Sequence, residues 1–171
     1  MSITKQPSRT SGSDSQKEAA LVTPRSRGAV NGSFLALLGL WGALVPFIGP
    51  YFNYAFGTPD PWVFTLDRLW LNILPGIVVL LGGLILGPSA DRFSGGLGAC
   101  LALTGGIWFI IGPVLSQLWG GGGPNNPIGA PLGTNFMQVL EQLGYFYGLG
   151  ALITALAAVA LGRISVRSAK G

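Results

Sequence analysis

Residues 69–90 read LWLNILPGIVVLLGGLILGPSA, an unbroken stretch without one Asp, Glu, Lys or Arg. A bilayer-spanning helix needs roughly 20 apolar residues. Within the stretch Asn72 is one of few polar side chains, and Pro75 is a proline inside the span. Hydrocarbon tolerates such a proline, because neighbouring helices can satisfy the carbonyls it frees. The segment is a membrane span, and it decides how the rest of the chain is read.

Uncharged runs recur on both sides of it, at 28–59, 93–140 and 142–162. Of the 16 charged residues in the 171-residue chain, seven lie in 1–33 and three in 163–171, which leaves six for Phe34–Gly162. The chain is 49% apolar and 9% charged, with a mean hydropathy of +0.54. Soluble domains carry about 25% charge. Composition therefore excludes a soluble enzyme and predicts an all-α, four-helix integral membrane bundle. Its expected spans are Gly32–Phe56, Leu69–Gly87, Gly95–Trp119 and Phe136–Gly162.

Three regions follow. Residues 1–30 are polar and read as a disordered tail, 31–163 as the four-span domain, and 164–171 as a short basic tail. The first apolar run is read as a retained helix rather than a cleaved leader. Lysine and arginine set the orientation. Nine of them (Lys5, Arg9, Lys17, Arg25, Arg27, Arg92, Arg163, Arg167 and Lys170) fall on the side shared by both ends, and only Arg68 falls on the other. Both termini are expected in the cytoplasm, with outer loops near 57–68 and 120–135. Basic residues beside the membrane attract anionic lipid at about 1 kcal/mol each. They are too scattered to form a nucleic-acid face.

The first and third spans share a skeleton. Gly39-Leu40-Trp41-Gly42-Ala43-Leu44-Val45-Pro46 aligns with Gly106-Ile107-Trp108-Phe109-Ile110-Ile111-Gly112-Pro113, so Gly, Trp and Pro recur at one spacing. The second spans begin Trp70-Leu71-Asn72 and Tyr145-Phe146-Tyr147 and end Leu86-Gly87 and Leu161-Gly162. Two spans per unit predict parallel repeats about an axis along the membrane normal. The G-x-W-x4-P run, a polar loop, and then Trp70-Leu71-Asn72-Ile73-Leu74-Pro75-Gly76 resemble the SPW-repeat family of small bacterial membrane proteins. The likeness covers about Leu35–Gly87 and, more weakly, Leu101–Gly162. Where that family has Ser-Pro-Trp, this chain has Val45-Pro46-Phe47 and Gly112-Pro113-Val114. The resemblance implies a two-span unit in a bacterial plasma membrane, and it brings no established biochemical activity.

Small residues form stripes at alternating steps of three and four. Gly39 and Ala43 belong to one in the first span, Gly105 to one in the third, and Gly144, Gly148, Ala151 and Ala155 to one in the fourth; Gly76 is a small residue of the second. Small residues let helices approach where lipid removes the hydrophobic drive. These eight are the expected helix-packing positions, and Leu149, Ile153, Leu156 and Leu161 are expected to face lipid. Aromatic residues cluster at the interfaces as a belt. Trp41 and Trp108 lie deeper, and with Asn72 they mark where a cavity between the repeats would open. Glu141 is the one carboxylate placed to face an interior, with Arg68 as its candidate partner.

Chemistry has little to work with. The chain has no histidine, one cysteine (Cys100) and neither a Ser-His-Asp set nor a phosphate loop. No catalytic residue, metal ligand or cofactor is expected. The reading is a non-enzymatic accessory membrane protein, packing with itself or with larger membrane partners. The rival is a small facilitator for uncharged solutes or a lipid-handling protein. A polar-lined central cavity would favour the rival, and a dry, close-packed centre the first.

Overall fold

The computed structural model describes residues 26–89, 91–120 and 129–166. Four helices in it are long and apolar enough to cross a membrane: Gly28–Phe52, Leu66–Leu86, Arg92–Trp119 and Asn135–Ser165. They are called the first to fourth spans below. Each begins one to four residues before its expected start. Among the described residues there is no strand, and Phe56 and Pro131 form a single isolated antiparallel bridge between the loops that follow the first and third spans, which are called outer below after the side they are expected to face. Helix already begins at Ser26, inside the stretch expected to be tail, while 1–25 and 167–171 lie outside the described residues.

Local chemistry sets the ends. Thr65 caps the second span by accepting from Arg68 N at 3.2 Å. Asp91 caps the third, accepting from Ser94 N at 3.1 Å while Ser94 Oγ donates to it at 2.6 Å. Those bonds hold the exposed Asp91 carboxyl below its ordinary range. Pro46 and Pro113 sit inside helices. Beside Pro113, the fully buried Ser116 donates from Oγ to Pro113 O at 2.7 Å. The first span tightens after Pro46 into a 3-10 turn at Gly49–Phe52.

Two helices are irregular at their outer ends. In the second span, Leu69–Ile73 is a π-helical segment in which Leu74 N bonds Leu69 O. Trp70 O would then look five residues on, to Pro75, which has no N–H. In the fourth span the helix breaks at Phe146 (φ −134°, ψ −80°), between Asn135–Tyr145 and Tyr147–Val166.

The spans pack in sequence order, first on second, second on third and third on fourth, and the first and fourth meet more loosely. Glycines make these contacts. A methyl group built on Gly76 would lie 2.6 Å from Ala43 N, and one on Gly39 would lie 2.7 Å from Gly76 O. Gly82 would meet Gly98 O at 2.6 Å, Gly105 would meet Pro75 O at 3.0 Å, and Gly106 would meet Thr154 N at 2.9 Å. Backbones therefore touch at the helix crossings, which is the role expected of Gly39, Ala43, Gly76 and Gly105.

The fourth span is turned the other way from expectation. Ala151 and Ala155 are exposed, whereas Ile153 is fully buried and Leu149 nearly so. The inward face runs Tyr145, Leu149, Gly150, Ile153, Ala157 and Ala160, and its closest approach is Gly150 against Gly106 O at 2.7 Å. Gly144 packs on the Tyr54 ring, and Gly148 abuts Leu143 of its own helix break. The stripe identified one helix face correctly. Its direction was wrong, because a core and a lipid tail are equally apolar and the small face carries no sign of which it meets.

Candidate functional site

Polar side chains gather at the outer end, beneath the two outer loops. Glu141 is fully buried and accepts from Leu132 N through Oε2 at 2.8 Å, which clamps loop 129–134 onto the fourth span. That loop is also joined to the first outer loop by Gly57 N to Ala130 O at 2.9 Å and Leu132 N to Ala55 O at 3.3 Å. Tyr145, one turn after Glu141 and so on the same face, donates from its hydroxyl toward Tyr54 O at 2.9 Å and Val45 O at 3.2 Å. Tyr54 in turn donates to Leu140 O at 2.7 Å and stacks on Tyr145 with ring centres 5.3 Å apart. Partial burial, and then the negative charge of Glu141, push the Tyr54 phenol above its ordinary value.

The expected Arg68–Glu141 pair does not form. Arg68 donates instead to Val63 O at 2.7 Å and Phe56 O at 3.3 Å. Its guanidinium is used to fold the first outer loop back on the second span, and Glu141 is used in the same way for the second loop. Each charge holds the backbone of a neighbouring loop. Glu141 Oε1 is buried without a hydrogen-bond partner, as are Asn72 Nδ2 and Thr154 Oγ1.

The tryptophans hold backbone too. Trp108 Nε1 donates to Trp70 O at 2.9 Å, the carbonyl that the π segment and Pro75 leave without an intrahelical donor. Trp41 Nε1 donates to Gly144 O at 3.3 Å, in the last turn before the break at Phe146. The last carbonyls of a helix need such outside partners. Trp41 is nevertheless exposed, which corrects the expectation that it packs deep in the bundle. Sequence reasoning missed Tyr54 and Tyr145, whose partners are remote along the chain, and Leu132, which contributes only a backbone N–H.

Two cavities accompany this cluster, and neither is lined by Trp41 or Trp108. The smaller, about 10 Å³, lies against Asp67, Arg68, Asn72 and Tyr145. The wider, about 240 Å³, is an open recess bounded by Phe56, Pro113, Gln117, Ala130, Gln142 and Tyr147, with no charged residue on its wall. Among the described residues no three His, Cys, Asp or Glu side chains come together as metal ligands would. Comparison of the chain with protein-family models, with curated proteins and with solved structures finds no match.

Proposed function

We propose that this is a non-enzymatic accessory protein of a bacterial plasma membrane, built as two parallel two-span repeats with both ends in the cytoplasm. The observation that carries the reading is the centre of the bundle. Gly39, Gly76, Gly82, Gly98, Gly105 and Gly106 bring neighbouring backbones into contact at the seams between the first and second, second and third, and third and fourth spans, which supports a close-packed bundle. A protein with so little interior offers its outer faces and its tails. Anionic lipid at the basic tails, and either a second copy or a larger membrane complex against the spans, are the partners this surface suits.

The repeat is supported by paired contacts. Gly39 lies against Leu80 N, and Gly106 lies against Thr154 N. Gly76 faces Ala43, and Gly150 faces Ile110. Trp41 bonds Gly144 O, and Trp108 bonds Trp70 O. In every pair the first and third spans are related by a shift of 67 positions and the second and fourth by a shift of 74. That register places Leu66-Asp67-Arg68-Leu69 on Leu140-Glu141-Gln142-Leu143, and the π segment on the break at Phe146. It differs by one residue from the alignment of Trp70 with Tyr145. The Gly-x-Trp-x4-Pro repeat and the Trp-x-Asn start keep the SPW-repeat likeness as the nearest family reading.

The outer recess of about 240 Å³ favours a second reading, a facilitator or lipid-handling protein that takes up an uncharged molecule there. Two experiments separate the readings. Affinity purification from native membranes should bring down a defined membrane partner or a homo-oligomer. Proteoliposomes should show no faster swelling in glycerol or urea than empty liposomes, and accelerated uptake would overturn the accessory reading.

A further inference from the structure

The helix Asn135–Tyr145 is amphipathic in the reverse sense from a helix at a water surface. Its outward face carries Phe136, 72% exposed, with Val139 at 55%, Leu140 at 39% and Leu143 at 46%. Those positions are spaced i, i+3, i+4 and i+7, which is one helix face. The opposite face is polar and turned into the protein. There Glu141 accepts from Leu132 N, and Gln138 Nε2 donates to Gly133 O at 3.1 Å. Asn135 and Gln142, seven residues apart, are exposed on one flank. In water such a helix would bury its apolar face and show its polar one. This one needs an apolar medium outside.

The hydrocarbon core does not reach it if the helix stands upright. Beyond the break at Phe146, Tyr147–Val166 has 20 residues. At 1.5 Å per residue they cover about 30 Å, the thickness of the core. Whether counted from Val166 or from the charge of Arg163, a straight continuation would hold Phe136 about 12–16 Å past the core. The headgroup layer is only about 5–8 Å deep on each side. Phe136 would then stand in water. The second span marks a similar boundary. It starts at Leu66-Asp67-Arg68, which the shift of 74 positions places on Leu140-Glu141-Gln142, so residues 135–139 lie past its end.

We infer that Asn135–Tyr145 is an interfacial helix, bent at Phe146, and that Tyr147–Val166 alone crosses the membrane. The face of Phe136, Val139, Leu140 and Leu143 sinks among lipids at the boundary of headgroups and acyl chains, where such helices bury an apolar face about 5–10 Å deep. Lipid is the occupant because this face continues the lipid side of the crossing helix. Leu143, Tyr147 and Ala151 follow at steps of four, and all three are exposed. Asn135 and Gln142 meet the headgroups from the flank. Through the bond from Leu132 N to Glu141, the helix carries loop 129–134, so lipid contact sets the height of that loop over the membrane. The inference rests on the chain crossing a membrane.

Nitroxide labels on the full-length protein, reconstituted in vesicles of phosphatidylethanolamine and phosphatidylglycerol, provide the test. Phe136→Cys, Val139→Cys, Leu140→Cys and Leu143→Cys are made singly after Cys100→Ala, with the half-exposed Val159→Cys as the control inside the crossing helix. Oxygen collects in lipid and a nickel chelate in water, so the ratio of their effects on relaxation reads depth. Labels at 136, 139, 140 and 143 should share one shallow depth, and the label at 159 should be deep. With 159 deep, three results would each overturn the interfacial helix alone. Depth rising stepwise by about 10 Å from 136 to 143 would make the whole segment part of the span. Free access of nickel at 136 and 139 would place the helix in water. Exclusion of both reagents at all four positions would mean that protein, such as a second copy, covers the face. Nickel access at 159 would overturn the membrane reading itself, and this inference with it.

Discussion

Ile153 and Ala155 are two positions apart on the fourth span, and the apolar pattern assigns them to opposite faces without saying which is inside. In water, polarity would decide. Between a helix and lipid it cannot, because both environments accept leucine equally well. The buried identity of Ile153 comes from Gly106 and Gly150, which bring the third and fourth spans together and fix the rotation. Ile153→Ala should therefore cost about 2–5 kcal/mol by leaving a cavity. Ala155→Leu, on the exposed face, should change stability by less than about 0.5 kcal/mol. Thermal unfolding in one detergent can compare them, and the opposite ranking would restore the inward stripe. Tyr54 makes a second statement at this scale. Its phenol is raised above the ordinary value of 10.0, so the folded state favours the neutral form. The stability this contributes is complete below about pH 10 and is lost as pH rises through the folded value. Tyr54→Phe should start from a lower stability, having lost the bond to Leu140 O, and should fall less steeply above pH 10. A denaturation series from pH 8 to 12 measures both slopes, and parallel curves would count against the assignment.

At the scale of elements, the two helix irregularities are each met by an indole from another span. The second span is the clearer case. Its π segment moves Leu74 N onto Leu69 O, Pro75 offers no N–H, and Trp108 supplies the missing donor to Trp70 O. Trp108→Phe keeps an aromatic ring and removes the bond, so it should cost about 1–3 kcal/mol for the unpaired carbonyl. Pro75→Ala restores a backbone N–H five residues from Trp70, and Trp108→Phe should be cheaper in that background. A double-mutant cycle reads the difference directly, and strict additivity would separate the tryptophan from the proline. Very little of this was legible in the sequence. Charge exclusion placed the four spans to within a few residues, because hydrocarbon enforces it. Asn72 also stood out as a polar residue within a span. The π segment did not, since nothing in Leu69–Ile73 differs in composition from an ordinary helix. Glu141 was singled out correctly but given the wrong partner, because Leu132 N–H belongs to an uncharged loop that offers no electrostatic signal.

The whole molecule is less symmetric than its paired contacts. The second and third spans meet through Gly82, Gly98, Ala102 and Gly105. The matching positions in the first and fourth spans, by the shifts of 67 and 74, are Leu156, Asn31, Leu35 and Leu38. Larger side chains hold that seam further apart, where Asn31 Nδ2 only just reaches Leu156 O at 3.4 Å. Tight packing on one seam and looser packing on the other leave the first and fourth spans as the pair that opens most easily. Which ends of the spans face the cytoplasm depends on topology, and nine of the ten lysines and arginines fall on the side expected to hold both ends. The orientation can be tested with single cysteines introduced after Cys100→Ala, which removes the chain's one native thiol. Asp60 lies on the first outer loop and Gly133 on the second, while Ser165 and Asp91 lie at the opposite ends of the helices. A membrane-impermeant maleimide added to intact cells should label cysteines at 60 and 133, and should reach 91 and 165 only after the membrane is opened. The four positions form two pairs that must switch together. Labelling of 91 and 165 in intact cells with protection of 60 and 133 would invert the protein. Mixed labelling within a pair would mean that one helix does not cross at all, and four spans would then be too many.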